Sequence, residues 1–396
     1  VGMQTVVLAA GEGTRMRPLT AHTPKPMLPV AGTPLVIHCL EDAIAAGASR
    51  VVVVVGYEAE TIRNAVRSRD WPVSVETVEQ ADQRGTADAV RAARDALRAE
   101  PFVVLNGDAL YDRSSLADLY AADAAVGSAR VDDPSAYGVL RVDDGGVRSV
   151  VEKPADPPSN LVNAGAYVFP AEARGWLDVD ESDRGEAEIT DVLQRACETT
   201  AVRAVGFDRW LDVGRPWELL AANEWKLAEI DRDLAGDVSD DAELRGRVVV
   251  EPDATIEPGV VIEGPVVVGA GSHVGPNAYV RGATYLGPGT RVGHGVEVKN
   301  SVVMAESAVP HLTYLGDSVL GTGVNLGAST TVANLRHDEE PVELTVKGDR
   351  VSTGRRKFGV VCGDGVKTGI DATINAGVTL STGATVAPGE TVLRDR

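Results

Sequence analysis

Residues 8–29 read LAAGEGTRMRPLTAHTPKPMLP and follow a short apolar run. Glycines placed directly after a strand let backbone N–H groups approach a phosphate chain, which makes Gly11 and Gly13 candidates for a phosphate cradle. Arg15 and Lys25 add fixed positive charge, and prolines at 18, 24, 26 and 29 stiffen the loop. Asp108, in LNGDAL, and Asp212, in WLDVGRPWELL, each close a later apolar run. Two carboxylates brought together there suit one Mg²⁺, an ion that takes carboxylates plus substrate phosphates. Gln80, in EQADQRGTADAV, carries an amide that can read a base edge, and Gly85-Thr86 opens the helix that follows. Far downstream, His311 and Tyr314 are three positions apart, with Lys299 before them and Asn325 and Asn334 after. A histidine whose ordinary pKa is about 6.5 is the natural base for an attacking amine.

The elements that must position these groups fall into two halves with different periods. Up to about residue 225, β-branched runs alternate with helical stretches: TVVLAA, PLVIHCLEDAIAAGA, RVVVVVG, AETIRNAVRS, VSVETVEQ, ADAVRAARDALRA, FVVLNGD. Continuous apolar strands separated by helices predict a mostly parallel sheet covered on both faces, with ligands outside the carboxyl ends of its strands. After about residue 247, aliphatic residues recur every six positions, at Val250, Ile256, Ile262, Val268, Val274, Val280, Leu286, Val292 and Val298. The phase returns at Cys362, Thr368, Ile374, Leu380, Val386 and Val392. A period of six is the hexapeptide repeat of a parallel β-helix, three sides to a coil, with the aliphatic side chains pointing inward. Residues 333–360 break the period and predict an excursion from the coil, and the stretch from Glu224 to Gly246 reads as a helix and acidic linker. The expected domains are 1–228, a linker over 229–247, and 248–396.

Composition narrows the function further. At 396 residues with a net charge of −20, the chain has no basic face to displace counterions, which excludes a general nucleic-acid binder. Only 7 of its 38 basic residues are lysine, an acidic and arginine-biased balance expected of adaptation to high salt. Cys39, Cys197 and Cys362 lack disulfide or metal-ligand spacing, as in a reducing interior. No stretch approaches the roughly 18 apolar residues of a membrane span, and the start lacks a charged-then-apolar leader, so a soluble cytoplasmic protein is expected.

The motifs L-A-A-G-E-G-T-R-M, P-K-P, Q-R-G-T-A, N-G-D, E-K-P, N-A-G and D-V-G-R-P-W together make residues 3–225 resemble the sugar-1-phosphate nucleotidylyltransferase family. That resemblance implies attack by a sugar-1-phosphate oxygen on the α-phosphate of a nucleoside triphosphate, releasing pyrophosphate. It implies nucleotide binding by Leu8, Ala10, Gly11, Gly13, Thr14, Gln80, Gly85 and Thr86, catalysis by Arg15 and Lys25, and Mg²⁺ on Asp108 and Asp212. Gly138, Glu152, Lys153 and Asn163 would surround the sugar phosphate.

In the second half, E-V-K-N, H-L-T-Y-L-G-D, N-L-G-A and a following Asn resemble the acetyltransferase domain of the bifunctional glucosamine-1-phosphate acetyltransferase / N-acetylglucosamine-1-phosphate uridylyltransferase family. The implied fold is an α/β Rossmann-like nucleotidyltransferase domain followed by a left-handed parallel β-helix, assembled as a homotrimer through the β-helix. His311 is then the general base, with Arg281, Lys299, Tyr314, Asn325 and Asn334 on the acetyl acceptor and Lys357, Ala387 and Arg394 near acetyl-CoA. Arg355 to Lys357, in GRRKFG, is a further candidate for the phosphates of coenzyme A. Asp212 and the P-L-T-x-x-x-P-K-P spacing resemble the thymidylyltransferase branch, leaving UTP and dTTP both open. The expected enzyme acetylates glucosamine-1-phosphate and uridylylates the product to UDP-N-acetylglucosamine. A single-activity glucose-1-phosphate uridylyl- or thymidylyltransferase, with the β-helix serving assembly alone, is the alternative. A sugar-nucleotide-sensing subunit would be expected to lack the metal carboxylates, and both are present.

Overall fold

The computed structural model describes residues 2–182 and 185–396. Its contacts divide the chain into two compact units: Val1–Glu12, Pro24–Met27 and Pro34–Asp212 form one, and Gly13–Thr23, Leu28–Thr33 and Val213–Arg396 the other.

The first unit is built on a nine-stranded sheet. Its opening strands, Met3–Ala9, Ala48–Val55, Ser74–Glu79 and Phe102–Asn106, are all parallel, and Met3–Ala9 lies between Ala48–Val55 and Phe102–Asn106. Val51 to Val55 are fully buried, because helices such as Leu35–Ala46 and Thr86–Ala92 cover the sheet. The parallel character stops at Phe102–Asn106. Beyond it Leu161–Phe169 runs antiparallel, and the sheet continues mixed. The helix expected over ADAVRAARDALRA ends at Ala92 and gives way to a 3-10 turn at Arg94–Ala96.

The second unit is a parallel β-helix with three faces. Strands such as Val248–Val250, Val266–Val268 and Thr284–Leu286 stack on the first face. Thr255–Ile256, His273–Val274 and Arg291–Val292 stack on the second, and Val261–Glu263, Tyr279–Arg281, Glu297–Lys299 and Tyr314–Gly316 on the third. All nine aliphatic residues of the first six-residue series lie in the core. Thr368, the polar member of the later series, accepts from the Gly327 backbone at 2.8 Å and shares a hydrogen bond with Thr330, which satisfies its buried hydroxyl. The excursion contains an antiparallel hairpin, Glu343–Val346 with Asp349–Ser352.

The expected helix and acidic linker is a correction. The helix, Pro216–Leu227, ends four residues into that stretch, and Asp233–Leu234, Asp237–Val238 and Glu243–Arg245 already pair as the first coil of the β-helix. Val238 and Leu244 pack on the core and extend the six-residue series backward from Val250. Charged neighbours mask that signal, since they occupy the outward positions where charge costs nothing.

Candidate active sites

At the carboxyl ends of the parallel strands, the chain forms a cleft of about 270 Å³ lined by Leu8, Ala10, Gly11, Gln80, Gly85, Thr86 and Asp108. Seven residues selected by sequence therefore share one wall. Gln83, Asn106 and Glu186 also line it and were not foreseen; Asn106 stands inside N-G-D, where its neighbour drew the attention. Leu8 is the register partner of Asn106, which brings the N-G-D turn beside the glycine loop. Gly107 donates to the Leu8 carbonyl at 2.8 Å.

Gln80 is buried, and its amide nitrogen donates to the Gly85 carbonyl at 3.2 Å and to Asp88 at 2.8 Å. With its donor half engaged, Gln80 has a carbonyl oxygen to offer a base. Gly85 sits at φ 113, and a side chain there would bring a Cβ within 2.7 Å of the Ala187 nitrogen, so glycine is required on two counts.

Lys25 is buried, and its Nζ lies 2.6 Å from Asp108 Oδ2. Asp212 lies on the strand Trp210–Asp212, where its register partner is Ala109, the residue after Asp108. One carboxylate in the turn before Ala109–Tyr111 and one at the end of the strand paired with it fit Mg²⁺, which takes most of its shell from phosphate and water. Among the described residues there is no larger cluster of His, Cys, Asp or Glu suited to a metal.

Gly13, Thr14 and Arg15 belong to the second unit. Gly13 adopts the left-handed conformation at φ 69, leading into the turn Thr14–Met16. Arg15 is exposed, with its guanidinium so close to Gly214 that a Cβ there would come within 3.1 Å of it. In the first unit, Gly138 is the register partner of Glu152, and a Cβ on it would meet Glu152 Oε2 at 2.9 Å and Asn163 Nδ2 at 3.5 Å. Gly138, Glu152 and Asn163 thus converge. Lys153 lies 3.7 Å from Glu152, half exposed.

On the β-helix, Arg281, Lys299 and Gly316 are stacked register partners on the third face, beside the stacked Glu297 and Tyr314. Asn334 Nδ2 donates to the Tyr314 hydroxyl at 3.2 Å and to Asp317 at 2.6 Å, and Lys299 reaches the same carboxylate at 2.8 Å. Arg281 pairs with Glu297 at 2.8 Å. Burial, followed by the nearby Glu297 and Asp317, raises the Tyr314 pKa above the ordinary tyrosine value, so its hydroxyl stays protonated. His311 is exposed at the corner between the second and third faces, and its carbonyl accepts from Ser329 at 2.8 Å.

Asn325 stands apart. It is exposed on the second face, bridged to Ala308 and Lys367. Lys357, in the excursion, Ala387, after the strand Thr385–Val386, and Arg394, after the last strand, are exposed at separate points. Arg355 hydrogen-bonds to Glu224 through both terminal nitrogens. Cys39 and Cys362 are fully buried and their thiols are pushed well up by desolvation; Cys197, half-buried, is raised to about 11. None is a thiolate near neutral pH.

Comparison with known proteins agrees with this division. Residues 4–229 match the nucleotidyl transferase family model, and residues 262–385 match the GMPPB C-terminal domain. The "bifunctional protein GlmU" of Methanocaldococcus jannaschii is 37% identical over 379 residues, covering 95% of this chain and 91% of the relative. A "bifunctional sugar-1-phosphate nucleotidylyltransferase/acetyltransferase" of Sulfurisphaera tokodaii is 37% identical over 400 residues, covering 99% and 98%. A UDP-glucose pyrophosphorylase solved with UDP-glucose superposes with a TM-score of 0.53 over 58% of this chain and 100% of that one, at 24% identity, and so shares the fold of the first half. With both relatives matched almost end to end and the first family model covering more than half its length, this chain belongs to the bifunctional sugar-1-phosphate nucleotidylyltransferase/acetyltransferase family.

Proposed function

We propose that the protein acetylates glucosamine-1-phosphate with acetyl-CoA and transfers UMP from UTP to the resulting N-acetylglucosamine-1-phosphate, giving UDP-N-acetylglucosamine and pyrophosphate. The acetyl half is carried by one observation: Lys299, Tyr314 and Asn334 join in one hydrogen-bonded patch on the face that the chain enters directly after His311.

In nucleotidyl transfer, a phosphate oxygen of the sugar attacks the α-phosphorus and the bond to pyrophosphate breaks. No protein nucleophile is needed, so catalysis consists of positioning and charge neutralisation. Asp108 and Asp212 would hold Mg²⁺, which when bound neutralises phosphate charge. Lys25 and Arg15 supply fixed positive charge, and Gly11 and Gly13 give the triphosphate close access to the backbone. The Gln80 carbonyl accepts from a base N3–H, a group that uracil and thymine both carry. Gly138, Glu152 and Asn163 orient the sugar, with Lys153 on its phosphate.

In acetyl transfer, the 2-amino group attacks the thioester carbonyl, His311 takes the amine proton, and coenzyme A leaves as the thiol. Arg281 and Lys299 face the sugar phosphate, while Tyr314, Asn325 and Asn334 shape the sugar site. Asn325 lies on another face from Tyr314 and Asn334, an arrangement that favours a site shared between neighbouring copies of a homotrimer. Lys357, Ala387 and Arg394 are the contacts assigned to acetyl-CoA.

The test is free-thiol release from acetyl-CoA on adding glucosamine-1-phosphate in molar KCl, with glucose-1-phosphate as control. Release that requires the amine, and that falls by about 10²–10⁴ in His311→Ala, is the expected result. Pyrophosphate formation from glucose-1-phosphate without thiol release would reduce the β-helix to a scaffold.

A further inference from the structure

We propose that Asp317 is the positioning residue of the acetyl-acceptor site, acting through Lys299 and Asn334; the proposal rests on the acetyl-transfer reading above. The Asp317 side chain is 3% exposed. Its Oδ2 accepts from Lys299 Nζ at 2.8 Å and from Asn334 Nδ2 at 2.6 Å, and its Oδ1 accepts from Asn300 Nδ2 at 2.9 Å. One carboxylate therefore gathers three donors, Lys299 and Asn300 from the preceding coil and Asn334 from the following one. An ionised carboxylate is acceptor-only, whereas an amide in its place would turn an N–H₂ toward one of these donors.

The carboxylate is itself braced. Asp317 N donates to the Lys299 carbonyl at 2.9 Å, and its own carbonyl accepts from Gly359 at 2.8 Å. Asn300 also donates to Glu224 Oε1 at 2.8 Å, and Glu224 is in turn held by Arg355. The long, flexible Lys299 stem would otherwise be free to sample many rotamers, and Tyr314 follows because Asn334 Nδ2 also donates to its hydroxyl. Gly316 completes the arrangement. A Cβ there would approach the Tyr314 hydroxyl to 2.6 Å and Asn334 Nδ2 to 2.7 Å, so the space next to Asp317 is kept clear for these two side chains.

The experiment varies glucosamine-1-phosphate and acetyl-CoA separately in acetyl transfer by the full chain. Asp317→Asn is expected to raise KM for glucosamine-1-phosphate by about ten- to a hundredfold, with KM for acetyl-CoA and pyrophosphate release unchanged. In combination with Asn334→Ala, the two losses should fall well short of multiplying, because both act through one contact. Fully multiplicative losses, or equal rises in both KM values, would mean a purely structural role and overturn the assignment. Gly316→Ala, which alters no charge, should raise the same KM, and it decides the matter if Asp317→Asn does not fold. An unchanged KM in either variant also overturns it. Absence of acetyl transfer in the unmodified protein, measured first, removes the underlying reading and this assignment with it.

Discussion

Lys25 and Asp108 form an ion pair, Nζ to Oδ2 2.6 Å, and Asp108 lines the cleft together with the glycine loop and the Gln80 segment. Lys25 is almost fully buried, whereas the Asp108 side chain keeps 30% of its exposure and so remains open to a ligand. Lys25→Met should reduce pyrophosphate release by about 10²–10³, the loss typical of removing one preorganised charge or donor from a transition state. Asp108→Asn should abolish pyrophosphate release and leave acetyl transfer in place. A coupled phosphate assay and a thiol assay on the same preparation check both, and loss of both activities with the fold intact would argue against two separate sites.

Gly85→Ala tests the turn that opens the helix Thr86–Ala92. The residue sits at φ 113, and the added carbon would strike the Ala187 backbone. A loss of about 1–3 kcal/mol in urea unfolding is expected from the forced conformation, together with a raised KM for the nucleotide, since Gly85 and Thr86 line the cleft.

Asp112 caps the helix Arg113–Tyr120 by accepting from Ser115 N at 2.9 Å. Burial works to raise its carboxyl pKa, but hydrogen bonds from Ser115, Ser114 and the Arg209 backbone together bring it below the ordinary aspartate value. A depressed folded-state pKa means that its stabilisation is fully present above the unfolded value, about 3.9, and is lost as pH falls through the folded one. Asp112→Asn still caps but does not titrate, so its urea midpoint should fall less steeply than the wild type's below about pH 4. Parallel curves would show that the cap carries no proton linkage.

The β-helix core should respond to truncation far more than its rim. Leu286, fully buried, should lose about 2–5 kcal/mol as Leu286→Ala. Leu393, 67% exposed, should stay within about 0.5 kcal/mol as Leu393→Ala. Thermal and urea unfolding of both variants in the same salt make the comparison.

Several features were legible in the residues alone because they depend on local rules. The six-residue series from Val250 to Val298 marks the inward positions one by one, since each coil repeats the same turn geometry and needs an aliphatic side chain at the same place. The same series reached back to Leu244 and Val238, and only the surrounding carboxylates made that stretch look like a linker. Apolar strands alternating with helices announced the parallel half of the sheet, and the strand-end motifs put Gly11, Gln80, Gly85 and Asp108 on one cleft.

Other relationships exist only because distant segments stack. Asp317 meets Lys299, Asn300 and Asn334 from neighbouring coils, and no local pattern says that its carboxylate points between them. Arg355 meets Glu224, 131 positions away, a contact that the basic run around it does not announce. Asn325, close in sequence to Tyr314, lies on a different face because the chain has turned two corners between them, by way of Val319–Leu320 on the first face. The sequence by itself determined the two architectures and which short motifs carry chemistry, since periodicity and turn chemistry act over a few residues. Only the tertiary structure decided which charged groups share a partner, because burial and hydrogen bonding depend on what the neighbouring coil or strand brings alongside.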